Sequence, residues 1–314
     1  MLRSMYAGIS GMKNFQTKLD VIGNNISNVN TSGFKKGRVT FQDMMSQMTS
    51  GAQGPTATRG GVNAAQVGLG SQLGSIDNIH TQGFRQTTNN PLDFALEGDG
   101  MFVVQDGDSV AYTRAGNFYL DEDGSIVNPQ GLYLMGFQVD TDGDLVVEDN
   151  GNYYSQDENG DWFELQVNNN TFVKEQQANN PPANTGAFVV GNMQIPDNAQ
   201  SFSVQTNGIV NFIDQDGNTQ VAGQVAIANF SNPAGLEKAG SNLFLNSVNA
   251  GYTGLAIPES EGTASIVSGS LEMSNVDLSE EFTEMITAQR GFQANTRIIT
   301  TSDEILQELV NLKR

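Results

Sequence analysis

The chain contains no cysteine, which excludes a disulfide framework, a thiolate metal site and a cysteine nucleophile. His80 is the single histidine, so histidine-clustered metal sites are excluded and a Ser–His–Asp triad has almost nothing to be built from. No apolar run approaches the ~20 residues of a membrane-spanning helix. The N-terminus is amphipathic and interrupted by Lys13 and Lys18, unlike a secretory signal. Taken alone, these absences describe a cytoplasmic protein, unless another export route serves it. Basic residues are scarce in the middle: residues 39–277 hold five Lys/Arg against twenty-eight Asp/Glu, whereas 1–38 and 278–314 together hold ten against seven. Near-neutral ends can pack densely against copies of themselves, while the middle repels its neighbours and stays solvated. Such a surface does not suit nucleic acid, and its plainest role is solubility.

What the chain does have is a pair of apolar ladders at its two ends. Leu278, Met285, Phe292, Ile299 and Leu306 recur every seven residues, with Phe282, Ala288 and Leu309 at the offsets between them. Met5, Met12, Leu19 and Ile26 form a similar ladder, accompanied by Leu2, Ile9, Phe15, Ile22 and Val29. Three- and four-residue spacing puts such side chains on one stripe of a helix, and a seven-residue repeat favours supercoiled packing. A first helix over 3–28 would be roughly 39 Å long, and a last helix from 278 to 312 about 52 Å. Asp277 is a suitable N-cap for the latter, with Glu280 as reciprocal partner. Gly291 in its middle costs about 1 kcal/mol relative to alanine, so it needs a reason: close approach by another helix, or a point of flexing. Asn295 and Ser302 interrupt the stripe with polar groups that would fix register.

Between the ends, the sequence predicts an α+β fold: a helical coiled-coil part (1–30 with 278–314), a discontinuous all-β middle (31–139 with 191–277) carrying an extended arm, and an acidic β-meander inserted at 140–190. The first helix runs into an Asn- and Gly-rich turn containing Asn24, Asn25, Asn28, Gly33 and Phe34, residues that cap helices and tolerate left-handed backbone. Lys35, Lys36 and Arg38 follow, either solvated or facing acids. Residues 50–90 read as an irregular arm with one or two short strands, one near Gly74 to His80. From 92 onward, period-two segments such as Met101–Val104 and Val110–Thr113 alternate with Gly/Asp turns. The insert has its own aromatics (Tyr153, Tyr154, Trp162, Phe163, Phe172), so a folded meander competes with a loose loop.

Catalytic chemistry finds no foothold. The carboxylates lie in turn sequences rather than apolar pockets, so an acid/base pair has no raised member. Asp140-Thr141-Asp142-Gly143-Asp144 suggests a calcium loop, but its sixth position is Leu145 and its twelfth Gly151, where an EF-hand needs glycine and glutamate. Gly98-Asp99-Gly100 has no following Gly-Lys-Ser/Thr to make a phosphate loop. No enzyme activity, metal or cofactor is expected.

Three motifs resemble one family. The opening Met1-Leu2-Arg3-Ser4-Met5-Tyr6-Ala7-Gly8-Ile9-Ser10-Gly11-Met12, the run Asn24-Asn25-Ile26-Ser27-Asn28-Val29-Asn30-Thr31-Ser32-Gly33-Phe34-Lys35, and Glu272 to Leu278 followed by Ala288-Gln289-Arg290-Gly291-Phe292-Gln293-Ala294-Asn295 are similar to the signatures of the bacterial flagellar axial proteins, which build the rod and hook. Val67-Gly68-Leu69-Gly70, Ala111 to Phe118 and Thr300 to Leu309 resemble most the short hook proteins of Gram-positive bacteria, with the distal rod protein as the alternative. The likeness covers about 1–138 and 191–314 and leaves the 140–190 insert outside.

The resemblance implies a helical homopolymer: terminal helices lining a central channel, the β-domain around them, the insert outermost, and a curved tube passing motor torque to the filament. Such a head-to-tail contact does not close. It also implies export through the flagellar type III apparatus without a cleaved signal, with Phe41 and Met45 similar to an export-gate element (or simply a core-facing helical turn). Hook cap, distal rod, hook–filament junction protein and length-control ruler are the implied partners, and neither nucleic acid nor membrane is among them. A secreted adhesin with a binding insert and a carboxylate hydrolase are the competing classes; neither needs the apolar ends.

Overall fold

The computed structural model describes residues 2–312 apart from 57, 108, 141, 150–151, 158–160, 169–170, 178–186, 198 and 261. The expected chain break at Asn179-Asn180-Pro181-Pro182 and the side chain of Leu2 lie outside the described residues. The chain divides into two compact units: Met1–Val29 with Lys35–Ile79 and Val276–Arg314, and Asn30–Phe34 with His80–Asn275. The arm, which the sequence placed with the β-core, thus groups with the terminal helices, because its backbone partners lie within itself and its root packs on the first helix.

In the first unit, α1 (Leu2–Ser27) packs against α2 (Leu278–Leu312). Helix α2 starts at its cap: Asp277 Oδ1 accepts hydrogen bonds from the N–H of Ser279 (2.8 Å) and Glu280 (3.4 Å). The Glu280 carboxylate does not complete a capping box; it is turned to Lys36 Nζ at 2.9 Å. The arm is a single antiparallel ribbon. Gly37–Asp43 pairs with Ser71–Asn78, Ser46–Ser50 with Ala65–Gly68, and isolated bridges Gln53–Val62 and Thr56–Arg59 carry the pairing outward. At ~3.3 Å per residue its strands are roughly 60 Å long. Phe41 sits on the first strand and Met45 just after it, so the helical turn expected around them is extended backbone instead.

The second unit is all β with antiparallel strand pairing. Its largest sheet runs in the order Ser201–Val204, Ile209–Ile213, Thr219–Val225, Tyr133–Phe137, Met101–Asp106, Ser109–Thr113, Leu243–Leu245, Glu237–Gly240. The Met101–Asp106 strand is buried on both faces: Phe102 and Val104 join one core with Phe94, Phe118 and Ile227, while Met101 and Val103 join another with Tyr112, Phe230 and Phe244. The rings of Phe94, Phe102 and Phe118 lie 5.5–6.3 Å apart, tilted or edge to face, the arrangement favoured by aromatic quadrupoles.

The insert is a folded meander rather than a loop. Val146–Asp149, Asn152–Gln156, Trp162–Asn168 and Thr171–Gln177 pair in succession, and Ala187–Phe188 returns alongside the first. It closes on a small core of Val146, Leu165 and Phe172, with the Tyr153 ring 5.1 Å from that of Phe172.

Candidate assembly interface

The seam between α1 and α2 is built from small residues. A Cβ added to Gly291 would lie 2.6–2.9 Å from Phe15 ring atoms, one on Gly11 would lie 2.8 Å from the Asn295 amide, and one on Gly8 would lie 3.3 Å from Ile299. Close approach by another helix is therefore the reason for Gly291, and Asn295 and Ile299 each face a glycine across the seam. Ser302 is buried and donates back to Ile298 O at 2.7 Å. Sequence reasoning passed over Gly8 and Gly11; their three-residue spacing on an apolar stripe was the available signal.

Of the ladder residues, Ile22 is buried, and Met5, Met12, Phe15, Leu19 and Ile26 are half-buried, as are Met285, Phe292, Ile299 and Leu306. Ile9, Leu278, Phe282 and Leu309 face solvent, together with Ile286, Ile298 and Ile305. At 100° per residue, Leu278, Phe282 and Ile286 lie about 160° around α2 from Ile298, Ile305 and Leu309. The helix thus carries two separate exposed apolar stripes, one on each side of the seam. The ribbon adds Phe41, Met45, Met48, Val67, Leu73 and Ile76. Phe41 meets the Phe15 ring edge-on at 6.2 Å, while Met45 is 85% exposed.

The two signature regions meet at the foot of the seam. Asn25 is buried: its Nδ2 donates to Gly37 O (2.9 Å) and Glu281 Oε2 (3.2 Å), and its Oδ1 accepts from Gly37 N–H (2.9 Å). One amide side chain so ties α1, the ribbon root and α2 together. Lys18–Glu284 (3.1 Å) and Lys36–Glu280 (2.9 Å) flank it around a cavity of about 320 Å³. Burial pushes the Glu281 carboxyl up from its ordinary pKa, against the Asn25 hydrogen bond and the Lys36 charge that pull it down. Of the basic cluster after the turn, Lys36 and Arg38 accordingly face acids, Arg38 lying 3.4 Å from Asp77, while Lys35 is buried. Asn28 Nδ2 donates to Asn24 O at 2.9 Å.

Gly33 and Phe34 serve the second unit. Gly33 has φ +70° and a Cβ there would strike the Arg114 and Ala115 backbone, so both its conformation and its neighbours require glycine. Its N–H donates to Glu272 O at 2.8 Å. Phe34 is buried beneath Lys238 Nζ, 5.0 Å from the ring centroid, and burial pushes that lysine's pKa down. Beside them Arg114 and Glu272, both buried, form an ion pair at 3.1 Å; Arg114 also donates to Gly98 O at 2.6 Å and Glu272 accepts from Gly83 N–H at 2.9 Å. Arg114 lies in the Ala111 to Phe118 motif and is one of few basic residues in the middle, but neither signal pointed to Glu272 as its partner. The would-be calcium loop is filled from within: Lys174 Nζ lies 3.4, 3.0 and 2.7 Å from carboxylate oxygens of Asp140, Asp142 and Asp144. Among the described residues no acidic or histidine cluster is arranged to hold a metal, and no helix is long and apolar enough to cross a membrane.

Comparisons with known proteins agree with this architecture. Residues 5–35 match the model described as flagella basal body rod protein, 95–212 the flagellar hook protein FlgE/F/G D1 domain, and 267–312 the flagellar basal body rod FlgEFG protein C-terminal model. The chain is 50% identical over 315 residues to the flagellar basal-body rod protein FlgG of Bacillus subtilis, covering all of both chains. It is 33% identical over 441 residues to the flagellar hook protein FlgE of Borreliella burgdorferi and 34% identical over 319 residues to the flagellar basal-body rod protein FlgG of the same organism, again across the full length of each. With three family models in chain order and full-length relatives of both kinds, the chain belongs to the flagellar rod and hook family and is a structural subunit of the flagellar axis.

Proposed function

We propose that this chain is the hook subunit, polymerising helically into a curved hollow tube that carries torque to the filament. The observation that carries the polymer is the pair of exposed stripes on α2. A two-fold dimer needs one self-complementary patch, whereas a head-to-tail polymer needs two different ones. For hook over rod, the reading is supported by the full-length match to the flagellar hook protein of Borreliella, 33% identical. The acidic insert also suits an outward-facing, solvated module. The distal rod is the second reading, supported by the name of the 50% identical Bacillus relative.

In this reading residues 1–30 and 278–314 form the inner helical layer, 80–139 with 191–275 the surrounding β-shell, and 140–190 the outer face. Leu2, Met5, Ile9, Met12, Phe15, Leu19, Ile22 and Ile26, with Leu278, Phe282, Met285, Phe292, Ile299, Leu306 and Leu309, make the inner contacts. Phe41 and Met45, accessible on the ribbon, are the export-gate element; the type III apparatus, hook cap, distal rod, junction protein and length-control ruler are the partners, and the role is structural rather than enzymatic.

Electron microscopy of the purified full chain is expected to show tubular or curved polymers that disappear on removing 1–30 or 278–314; compact monomers that never polymerise would overturn the axial reading. Because the chain has no cysteine, Asp161→Cys on the insert gives a single labelling site. Maleimide label on intact cells at the curved segment below the filament supports the hook; label reached only after the envelope is opened supports the rod.

A further inference from the structure

The insert joins the main sheet along a narrow strip: Val146 N–H donates to Gln138 O (3.0 Å), Gln138 N–H donates to Val189 O (2.9 Å), and the Phe188 ring meets that of Phe137 edge-on at 5.5 Å. Among the described residues its own buried apolar cluster is Val146, Leu165 and Phe172. On its inner side Val147, Trp162 and Phe188 face Ile209 and Val221 of the main sheet across a cavity of about 430 Å³, so these apolar groups line a space rather than filling it. The far strand, Thr171–Gln177, reaches the insert's root at the Asp140–Phe172 bridge and needs a side-chain attachment to hold it there.

Lys174 supplies one. It is the only basic residue between Arg114 and Lys238, and its stem and ammonium are mostly buried. Asp140, at the base of the insert, is fully buried; its Oδ1 accepts from the N–H groups of Asp142 and Asp144 (both 2.9 Å), which curls the loop so that three carboxylates converge on the ammonium, that of Asp142 from the solvent side. Its other oxygen, Oδ2, accepts no hydrogen bond and is left with the ammonium at 3.4 Å. The Phe163 ring completes the socket, 5.3 Å from Nζ. Burial opposes the ammonium's charge, yet hydrogen bonds to Asp144 and Asp142 and the field of Asp140 outweigh it and hold its pKa above the ordinary lysine value. The aspartate loop lies where the chain leaves the main sheet, and the lysine comes from the edge strand of the meander that returns beside it, so the contact closes the insert on itself.

We propose that Lys174 is the resident cation of the Asp140–Asp144 loop and latches the strand Thr171–Gln177 to the root of the insert, so that one side chain governs whether the meander closes on itself beside the cleft. Removing the ammonium leaves a buried carboxylate without a counter-charge, beside two more carboxylates that repel it. Neutralising all three aspartates removes that conflict, because an asparagine at 140 still accepts from the loop amides.

The test uses Lys174→Met in the full chain, alone and combined with Asp140→Asn, Asp142→Asn and Asp144→Asn. Trp162, the only tryptophan, lines the cleft and reports seating through acrylamide quenching; hydrogen exchange reports the insert and the main sheet separately. Lys174→Met is expected to raise quenching and to cut exchange protection over 146–167 by roughly 100-fold or more, with 201–225 unchanged, and the combined variant to restore both. Three results overturn the proposal: an unchanged insert in Lys174→Met, equal loss of protection in the main sheet, or failure of the combined variant to recover.

Discussion

Replacing Gly291 by alanine sets two effects of opposite sign against each other. Alanine is the better helix former by about 1 kcal/mol in a helix interior. Its Cβ, however, would sit 2.6–2.9 Å from Phe15 ring atoms, so the ring must turn or α1 must back away, and overpacking of this kind costs about 1–3 kcal/mol. The net effect on the native chain is between about zero and a 2 kcal/mol loss. With Phe15→Ala the obstacle is gone, the overpacking term vanishes, and the same substitution should stabilise by about 1 kcal/mol. The four proteins form a double-mutant cycle with an interaction energy of about 1–3 kcal/mol. Thermal unfolding followed by circular dichroism at 222 nm reads it directly, because α1 and α2 supply nearly all the helical signal. Equal stabilisation in both backgrounds would refute the close-approach account and leave flexing as the reason for the glycine. A cycle of the predicted size, with unchanged polymer flexibility in Gly291→Ala, would exclude flexing.

Arg114→Met should destabilise the β-unit by about 3–5 kcal/mol, since it strands the buried Glu272 carboxylate, and adding Glu272→Leu should recover most of the loss; urea unfolding decides, and a single-variant loss under ~1 kcal/mol would sink it. Glu281 has a folded-state pKa raised above its unfolded value, so its ionisation costs stability as pH rises through the carboxylate range. Glu281→Gln, which still accepts from Asn25, should therefore match or exceed the native chain in thermal stability at neutral pH, the difference shrinking toward pH ~4; a variant clearly weaker at neutral pH would contradict this. Burial and the neighbouring Tyr112 push Tyr252 up to about 12, and burial raises Tyr112 too. Absorbance at 295 nm should show a late-titrating class, with stability falling as pH rises above ~10; titration of every tyrosine near its ordinary pKa would disprove that environment.

The helices were legible because their signal is local and redundant: Asp277 caps α2, the ladder repeats five times, and the observed end at Leu312 is the expected one. Strand alternation around 101–113 was equally plain. The arm was less so. Its residues from Gly37 to Asn78 pair by backbone bonds indifferent to side-chain type, and few of its side chains are buried, so no apolar period marks the register. Glu280 was assigned to a capping box on spacing, yet Lys36, 244 positions away in sequence, offers a stronger, charge-assisted bond. The Asn25–Gly37–Glu281 knot and the Arg114–Glu272 pair were out of reach for the same reason: each joins groups that only the fold brings together.

The seam between α1 and α2 is narrow by construction. Glycines at 8, 11 and 291 bring the helices close but contribute little apolar area, and Asn14 and Asn295 lie on the same faces. The larger apolar side chains Phe282, Ile286, Ile298, Ile305 and Leu309 are turned outward, each 43–52% exposed, and covering what remains would contribute about half of the ~1.5–3 kcal/mol of a full burial. Within one chain, then, close backbone approach and the polar knot at Asn25 join the half-buried ladder residues in holding the pair, while about half of the surface of the outward side chains is left for neighbours. A helix with this distribution is weakly ordered alone and strongly ordered in company. The same surface that makes the isolated ends easy to unfold makes assembly the step that completes them.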